Sequence, residues 1–266
     1  MTSERFLLDA LGQPEALLVA FQPIFEMRDP GARLHGFEAL VRGTEQSGVG
    51  SAAALFERAR RAGVESKVDR LCLEAIFAAK AGNVHPGRLS VNVHASTLAG
   101  DREFPGFLCD AAARRGVDVS RLTVEIVEAG RSSNDGVFQE TLGALREAGV
   151  ELALDDVGLG QASYALMLDC APHYLKVDRY LVAGCGQDLR RRAVLDSVFL
   201  LGARLGARMI AEGVETAEEL STLSSLGVEL FQGFFLGRPV AAIEPGAVPA
   251  VLPLPLRAAA IVNRPR

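Results

Sequence analysis

Six short apolar runs in this chain carry a residue that can bind a metal ion or transfer a proton. Five of the runs end on that residue, and the sixth holds a glutamate in its interior. Helical periodicity fills the segments between the runs, so the polar residues recur once in each strand–helix unit. In a (β/α)8 barrel all strand carboxyl ends open on one face, where such residues would meet. The runs span residues 36–42, 89–92, 122–125, 152–156, 174–176 and 209–212.

The first two strands depart from simple alternation. Residues 18–25 and 33–41 have the composition of strands, and Asp29-Pro-Gly31 between them is strong turn chemistry. We therefore predict an α/β fold, a TIM-like (β/α)8 barrel with one antiparallel strand near the N-terminus. The other strands are expected over 88–93, 121–127, 151–155, 173–177, 207–211 and 228–232, and helices over 51–62, 67–81, 105–115, 135–148, 161–169, 187–205 and 216–226.

A single barrel accounts for most of the chain. The 266 residues leave room for one barrel of about 250 residues without a second core. We predict a helical lead-in over residues 1–17 and the barrel over residues 18–244. A Pro/Ala-rich C-terminal tail over residues 245–266 is expected to be a loose extension or to pack outside the barrel, and it carries no catalytic group.

Composition excludes several classes of protein. The net charge of −5 gives no support for general nucleic-acid binding. No apolar stretch approaches the ~20 residues of a membrane span, and the first residues lack the pattern of a secretory signal. The four cysteines are scattered without a C-x-x-C pair, which favours reduced thiols and a cytoplasmic location.

The polar strand ends favour a metal-dependent reaction. Carboxylates that converge from separate strands repel one another unless divalent ions lie between them. The set here consists of carboxylates and one amide, which are the oxygen ligands that Mg²⁺ and Mn²⁺ prefer. Two such ions can cleave a phosphodiester by activating water and by stabilising charge on the attacking and leaving oxygens.

Eight short motifs follow one another from about Phe21 to Pro239, over nearly the whole chain. In order and spacing they resemble the EAL-domain family, the bacterial phosphodiesterases that linearise cyclic di-GMP. Any one triplet can occur by chance, whereas eight in the family's order are specific. The motifs are Gln22-Pro-Ile, Glu38-Ala-Leu-Val-Arg42, Ser90-Val-Asn92, Glu125-Ile-Val-Glu128, Asp155-Asp156, Leu175-Lys-Val-Asp178, Ala211-Glu-Gly-Val-Glu215-Thr and Gln232-Gly-Phe…Gly237-Arg-Pro.

The resemblance implies two divalent metal ions, Mg²⁺ or Mn²⁺, bound by oxygen ligands. Asp155 would bridge the two ions, and Asp156 would assist at the second. The implied metal ligands are Glu38, Asn92, Glu125, Asp155 and Asp156.

The resemblance also implies roles for residues that bind no metal. Lys176 would hold the attacking water or the developing phosphorane charge, and Glu212 would act as general base. Arg42 would contact a substrate phosphate as a bidentate donor. The remaining residues of the implied site are the substrate-binding or site-wall residues Gln22 and Gln232, and the loop-anchoring or supporting residues Glu128 and Glu215.

Several of these residues also have purely structural interpretations. Asp155 and Asp156 can cap the next helix, and Lys176 can extend from a strand end towards solvent. Glu212 and Glu215 have the i, i+3 spacing of a helix start and can pair with its dipole.

Other polar residues also have a structural alternative. Glu38 can be an edge-strand carboxylate, Asn92 a turn residue, and Gln22 a partner for backbone groups near the hairpin. The basic run 190–192 is interpreted as a solvated helix face. The histidines share no ligand spacing and are interpreted as structural or surface residues, with His94 the one nearest the expected site; they are His35, His85, His94 and His173.

The loop after Asp155-Asp156 departs from the family pattern. Val157, Leu159 and Gln161 stand where the family usually has Phe, Thr or Ser, and Tyr. In the family this loop links metal binding to the dimer interface, and the hydroxyl absent at position 159 would contact Glu128. The departure therefore concerns rate and regulation more than the chemistry itself.

Three functions compete at this stage. The first is a phosphodiesterase that hydrolyses cyclic di-GMP to linear pGpG, and the resemblance makes a homodimer the expected assembly. The second is a receptor module that binds cyclic di-GMP with little or no turnover; such receptors typically lose metal ligands, whereas this chain keeps all of them. The third is another metal-dependent barrel enzyme, such as an enolase- or aldolase-type lyase, which leaves the motif Glu38-Ala-Leu-Val-Arg42 unexplained.

Overall fold

Nine strands and nine α-helices lie in the part of the chain that the computed structural model describes, which is residues 16–28, 31–43, 51–80, 87–127, 135–158, 163–243 and 251–252. The strands are β1 (Leu17–Arg28), β2 (Gly31–Gly43), β3 (Arg88–His94), β4 (Leu122–Val127), β5 (Glu151–Val157), β6 (Tyr174–Val177), β7 (Arg208–Ala211), β8 (Leu230–Gln232) and β9 (Val251–Leu252).

The strands form one sheet in the order β1-β8-β7-β6-β5-β4-β3-β2-β9. An additional pairing of β1 with β2 closes strands β1 to β8 into a barrel. β1 runs antiparallel to β8. The pairs β3–β4, β5–β6, β6–β7 and β7–β8 are parallel. The predicted (β/α)8 barrel with one antiparallel strand near the N-terminus is confirmed.

The helices alternate with the strands as the periodicity predicts, with ends that differ by at most three residues. They are α1 (Ala52–Ala62), α2 (Glu65–Lys80), α3 (Ala95–Gly100), α4 (Phe104–Arg114), α5 (Asp135–Glu147), α6 (Tyr164–Cys170), α7 (Arg179–Val182), α8 (Leu189–Leu205) and α9 (Ala217–Ser225), with a 3-10 turn over Val119–Arg121. None of the helices described is long and apolar enough to cross a membrane.

Two short helices and one strand were not expected from the sequence. α3 and α7 have six and four residues, too few for a helical period to stand out. β9 lies in the predicted C-terminal tail and pairs antiparallel with Ala32 and Arg33 of β2. Residues 1–15 and the rest of the tail lie outside the described residues, so the domain boundaries stay a prediction.

The chain divides into two compact units. The first contains the described residues within Met1–Phe21, Glu38–Glu151 and Pro239–Pro245. It includes β3, β4 and helices α1 to α5, and a cluster of buried apolar side chains joins α1 to α2. That cluster consists of Leu55, Ala59, Val64, Val68 and Cys72.

The second unit contains the described residues within Gln22–Phe37, Leu152–Arg238 and Gly246–Arg266. It includes most of β1 and strands β6 to β8. Each of five strands contributes one side chain to its buried cluster, which consists of Ile24, Ala153, Tyr174, Ile210 and Leu230.

Candidate functional site

The predicted site residues of the second unit lie directly above its buried cluster. Side chains two positions apart along a strand point to the same face of the sheet. On each strand, a predicted site residue lies two positions from the cluster residue, and in every case it is nearer the same end of the barrel. On the antiparallel β1 the step runs backwards along the chain. The pairs are Ala153 with Asp155, Tyr174 with Lys176, Ile210 with Glu212, Leu230 with Gln232 and Ile24 with Gln22.

A β-bulge sets the direction of the two aspartates. Leu154 pairs with Leu175, whereas the next paired residues are Val157 and Val177. Asp155 and Asp156 together therefore oppose the single residue between Leu175 and Val177, which is Lys176. Asp156 has a φ of 54°, a left-handed conformation that aspartate tolerates better than most residues. Its backbone N–H donates to Asp155 Oδ1 at 3.0 Å.

Lys176 is buried between two carboxylates. Its side chain is 1% exposed, and its Nζ lies 2.6 Å from Glu212 Oε1 and 3.4 Å from Asp155 Oδ1. Both carboxylates are 18% exposed, so each keeps one side open to solvent or ligand. A buried ammonium is tolerated only when such partners compensate its charge. The arrangement therefore fixes one cation and two carboxylates at the ends of three strands.

A second group of oxygen ligands lies in the first unit. Asn92 Nδ2 donates to Glu38 Oε1 at 2.9 Å, and Asn92 is the register partner of Glu125 on β4. Glu38 and Glu125 are both buried. The Oδ1 of Asn92 is a buried atom that accepts no hydrogen bond from the residues described. A buried amide oxygen in this state is compatible with a cation as its partner.

These groups fit a hard divalent ion by their chemistry. Within the described residues, no three His, Cys, Asp and Glu side chains cluster as a ready-made metal site. Two features account for this. In the first unit one of the three candidate ligands is the amide of Asn92, and in the second unit Lys176 Nζ occupies the space beside Asp155. Carboxylate and amide oxygens are nevertheless the donors that Mg²⁺ and Mn²⁺ take.

The two predicted glutamines contact each other. Gln232 Nε2 donates to Gln22 Oε1 at 3.2 Å, and Gln22 Nε2 donates to the carbonyl of Gly237 at 3.4 Å. The first distance lies at the upper end of the ordinary N–H···O range and the second lies beyond it, so both are weak contacts that a ligand can replace. Arg42 lies at the exposed end of β2, where its guanidinium is accessible to an anion.

Glu215 lies at the surface and pairs with Arg179, with 2.7 Å between Oε2 and Nη2. It precedes helix α9 instead of starting it, because Thr216 is the N-cap residue. The structure therefore does not bear out the helix-dipole interpretation for Glu215, and its loop-anchoring role stays a prediction. Glu128, Leu159 and Gln161 lie outside the described residues, and their predicted roles stay predictions.

Two buried acidic residues near the site were missed from the sequence. Glu219 accepts hydrogen bonds from the backbone of Gly184, Glu215 and Thr216. Burial raises the pKa of Glu219, but these three backbone donors together with Arg179 lower it below its ordinary value. The pattern Thr216-x-x-Glu219 is that of a capping box, so a signal for Glu219 was present.

The other missed residue is Asp69, which is fully buried. It accepts hydrogen bonds from Thr97 Oγ1 at 2.5 Å and from the backbone N–H of His94 at 3.1 Å, and it lies 3.0 Å from His94 Nδ1. The His94 ring also packs on Phe56. His94 is therefore buried in a structural contact, in agreement with the general interpretation of the histidines. No motif in the sequence singles out Asp69.

A family model described as EAL domain matches residues 5–239. Among curated relatives, "Cyclic di-GMP phosphodiesterase PA2567" of Pseudomonas aeruginosa is 28% identical over 88% of this chain and 40% of its own length. The chain spans between 22% and 40% of the length of the first three curated relatives.

Two solved structures are similar across most of the chain. Klebsiella pneumoniae BlrP1, in a complex with calcium and cyclic di-GMP, has a TM-score of 0.70 and 30% identity, covering 86% of this chain and 57% of that one; another structure of that protein holds manganese. A standalone EAL protein of Vibrio cholerae, bound to cyclic di-GMP, has a TM-score of 0.76 and 26% identity, covering 91% and 98%. With the family model matched over most of its length, this chain belongs to the EAL domain family.

Proposed function

We propose that this protein is a metal-dependent phosphodiesterase that hydrolyses cyclic di-GMP to linear pGpG. The observation that carries the proposal is the buried Lys176, held between Asp155 and Glu212 at strand ends. Membership of the EAL family supports it, as do the relative named a cyclic di-GMP phosphodiesterase and the similar structures that hold cyclic di-GMP.

In the proposed reaction one water molecule adds across a P–O3′ bond of the cyclic dinucleotide. The water oxygen bonds to phosphorus, the P–O3′ bond breaks, and the departing O3′ takes up a proton from solvent, so that the product has a 5′-phosphate and a free 3′-hydroxyl. Glu212 accepts the proton of the attacking water, since a positioned carboxylate is a general base. Lys176, 2.6 Å from Glu212, stabilises the negative charge that develops on the phosphoryl oxygens.

The oxygen ligands would hold two Mg²⁺ or Mn²⁺ ions. When bound, such ions lower the pKa of water and stabilise the charge on attacking and leaving oxygens. The residues that would hold them are Glu38, Asn92, Glu125, Asp155 and Asp156.

Three further residues would bind and orient the substrate. Arg42 carries a planar guanidinium that suits a phosphate, and it is exposed. The amides of Gln22 and Gln232 can exchange their long mutual hydrogen bond of 3.2 Å for contacts to a polar ligand. Orienting contacts of this kind raise the rate by holding the reacting phosphorus in line with the water.

We further propose that the protein forms a homodimer through helix α6. Tyr164 and Leu168 are one helical turn apart on this helix, and both are exposed. Large apolar side chains paired at i, i+4 and open to solvent are typical of a surface that a partner covers. The helix follows the loop that the family resemblance connects with dimer formation. The four free cysteines support a cytoplasmic location.

The second candidate function is a receptor that binds cyclic di-GMP with little or no turnover. The observation that favours it is the divergent loop, in which Val157, Leu159 and Gln161 replace the residues usual in the family. Against it, every implied metal ligand is present in the sequence.

Incubation with cyclic di-GMP and Mg²⁺ or Mn²⁺, followed by chromatography of the products, separates the two functions. We expect linear pGpG from the protein with either ion. We expect no product in excess chelator, and inhibition by Ca²⁺, whose longer and more variable bonds misplace the attacking water. Binding without any product would support the receptor, and full hydrolysis in chelator would rule out the metal-dependent mechanism.

A further inference from the structure

The loop after β7, residues 212–216, carries Glu212 and is held by an arginine from the neighbouring β6 segment. Arg179 is the first residue of α7, three positions beyond Lys176. Its Nη1 donates to the carbonyl oxygen of Gly213, and its Nη2 donates to Glu215 Oε2 at 2.7 Å. One guanidinium therefore contacts the chain on both sides of Val214, beginning at the residue next to Glu212.

The stem of Arg179 also lies against the backbone of Gly213. A Cβ atom at position 213 would lie 2.6 to 2.9 Å from the Cβ, Cγ and Cδ atoms of Arg179, closer than such atoms pack. Gly213 has a φ of 63°, a conformation that glycine adopts at no steric cost. The close approach and the hydrogen bond together require glycine beside Glu212 and fix the path of the loop.

The far end of the loop has its own anchor. Glu219 of α9 accepts the backbone N–H groups of Glu215 and Thr216, and also that of Gly184 beyond α7. The loop after β7 is thus tied to the segment after β6 at two points. Of these two anchors, Arg179 contacts the half of the loop that holds Glu212, where the backbone N–H of Glu212 also donates to the carbonyl of Val177 at 3.0 Å.

We propose that Arg179 is a positioning residue that holds Glu212 against Lys176 through the backbone of Gly213. The proposal rests on the proposed function, in which Glu212 is the general base. The contribution of Arg179 is expected in the rate of hydrolysis and not in the stability of the fold. Arg179 and Glu215 are 43% and 41% exposed, and ion pairs with this exposure contribute little to folding. A misplacement of the base by about 1 Å can lower the rate about 100-fold.

The test compares Arg179→Ala with Arg191→Ala. Arg191 contacts the same short helix, because it donates to the carbonyls of Tyr180 and Ala183, and both acceptors lie outside the loop after β7. We expect Arg179→Ala to lower kcat by about 10- to 100-fold with KM within about threefold and the melting temperature nearly unchanged. Arg191→Ala should keep the kcat of the unmodified protein.

A conservative variant sharpens the test. Lysine at position 179 can donate to one of the two acceptors but lacks the planar fork that reaches both. Arg179→Lys should therefore give a kcat between those of the unmodified protein and Arg179→Ala. Equal losses in Arg179→Ala and Arg191→Ala would show that α7 as a whole is needed, and would overturn the positioning role. So would an unchanged kcat in Arg179→Ala.

Crystal structures of the unmodified protein and of Arg179→Ala provide a measurement that does not depend on turnover. We expect the distance between Lys176 Nζ and Glu212 Oε1, 2.6 Å here, to lengthen by about 1 Å or more in the variant as the loop is released. An unchanged distance would overturn the proposal. If the unmodified protein fails to hydrolyse cyclic di-GMP, the proposed function fails, while this distance still decides whether Arg179 positions Glu212.

Discussion

The two groups of candidate site residues differ in what holds their acidic side chains. In the second unit, Asp155 and Glu212 are held by the ammonium of Lys176, which is 1% exposed. In the first unit, Glu38 is held by the amide of Asn92, whose own oxygen accepts no hydrogen bond from the described residues. In the second unit a lysine of the chain compensates the charge of the two carboxylates. In the first unit the amide oxygen of Asn92 is an acceptor that a cation can use.

The layers beneath the two groups also differ. Under Asp155, Lys176 and Glu212 lie the apolar residues Ala153, Tyr174 and Ile210, which exclude water and strengthen the ion pairs above them. Two positions before Asn92 and Glu125 the chain has Ser90 and Thr123, both buried. We infer that burial stabilises the arrangement of the second group, whereas ligand binding stabilises that of the first.

Replacing the lysine should have the largest combined effect on activity and stability of the changes considered. Lys176→Met leaves Asp155 and Glu212 without the cation between them. We expect kcat to fall by about 1,000-fold and the free energy of unfolding to fall by about 3 kcal/mol, as for removal of one partner of a buried pair.

Product chromatography and urea denaturation measure the two effects of Lys176→Met. Lys67→Met is the matched control, because Lys67 is an exposed lysine on α2. A Lys176→Met protein as stable as the control would show that the second group is not organised by its own charges.

Removing an acidic residue of the first group should separate activity from stability. Glu38→Ala should abolish hydrolysis, since one proposed metal ligand is lost, while the fold stays intact. Mn²⁺ should raise the melting temperature of the unmodified protein, because an ion that binds only the folded state stabilises it. In Glu38→Ala this increase should be much smaller.

Glu147→Ala removes an exposed carboxylate of α5 and serves as the control in the same thermal-shift measurement. Turnover of Glu38→Ala within a few-fold of the unmodified protein would contradict the proposed ligand. The same Mn²⁺-dependent shift in Glu38→Ala as in the control would do so independently of activity.

The sequence was sufficient to predict which polar residues lie at the strand ends. It was not sufficient to predict the contacts between loops. The period of two along a strand places Lys176 above Tyr174 and Glu212 above Ile210, so the polar ends could be read from spacing alone. The bulge that turns Asp155 and Asp156 towards Lys176 depends on strand pairing, which no local pattern encodes.

Contacts such as Arg179 with Gly213 and Asp69 with His94 join segments 34 and 25 positions apart in the chain. These contacts depend on how helices α7 and α2 pack, and local sequence propensity carries no information on that packing. Glu219 is intermediate, because the capping-box pattern was readable from the sequence while its contact with Gly184 was not.

The anchor at Glu219 predicts a pH-dependent contribution to stability. Its folded-state pKa lies below the ordinary value, because backbone donors from Glu215, Gly184 and Thr216 outweigh burial. The contribution is therefore present above the unfolded-state pKa and is lost as the pH falls through the folded-state pKa. We expect Glu219→Gln to lower the free energy of unfolding by about 1 kcal/mol at pH 7, and by less in acid.

Urea denaturation at several pH values measures this difference. Glu218→Gln is the control, because Glu218 is an exposed neighbour in the same helical turn. A loss that is equal at pH 7 and in acid would show that the ionised carboxylate is not what anchors the loop.

The divergent loop is expected to have the smallest effect, and it concerns the second group alone. Asp156, the proposed ligand of the second metal, lies at the root of this loop with a φ of 54°. If the residues at 157, 159 and 161 fix the loop less firmly than those usual in the family, the second ion binds less tightly. Restoring Phe, Thr and Tyr at these positions should then raise the rate a few-fold at limiting Mg²⁺ and leave it unchanged at saturating Mg²⁺.

Of the three positions, Val157 is among the residues that the structure describes. Val157 is 2% exposed and pairs with Val177, and a larger side chain in a packed position costs about 1–3 kcal/mol. Val157→Phe can therefore lower stability even where the loop as a whole gains order. The double variant Leu159→Thr with Gln161→Tyr leaves Val157 unchanged, and we expect it to give most of the gain at limiting Mg²⁺. If neither the double nor the triple variant changes the metal dependence or the rate, the divergence of this loop is neutral, and the charges around Lys176 alone set the behaviour of the second group.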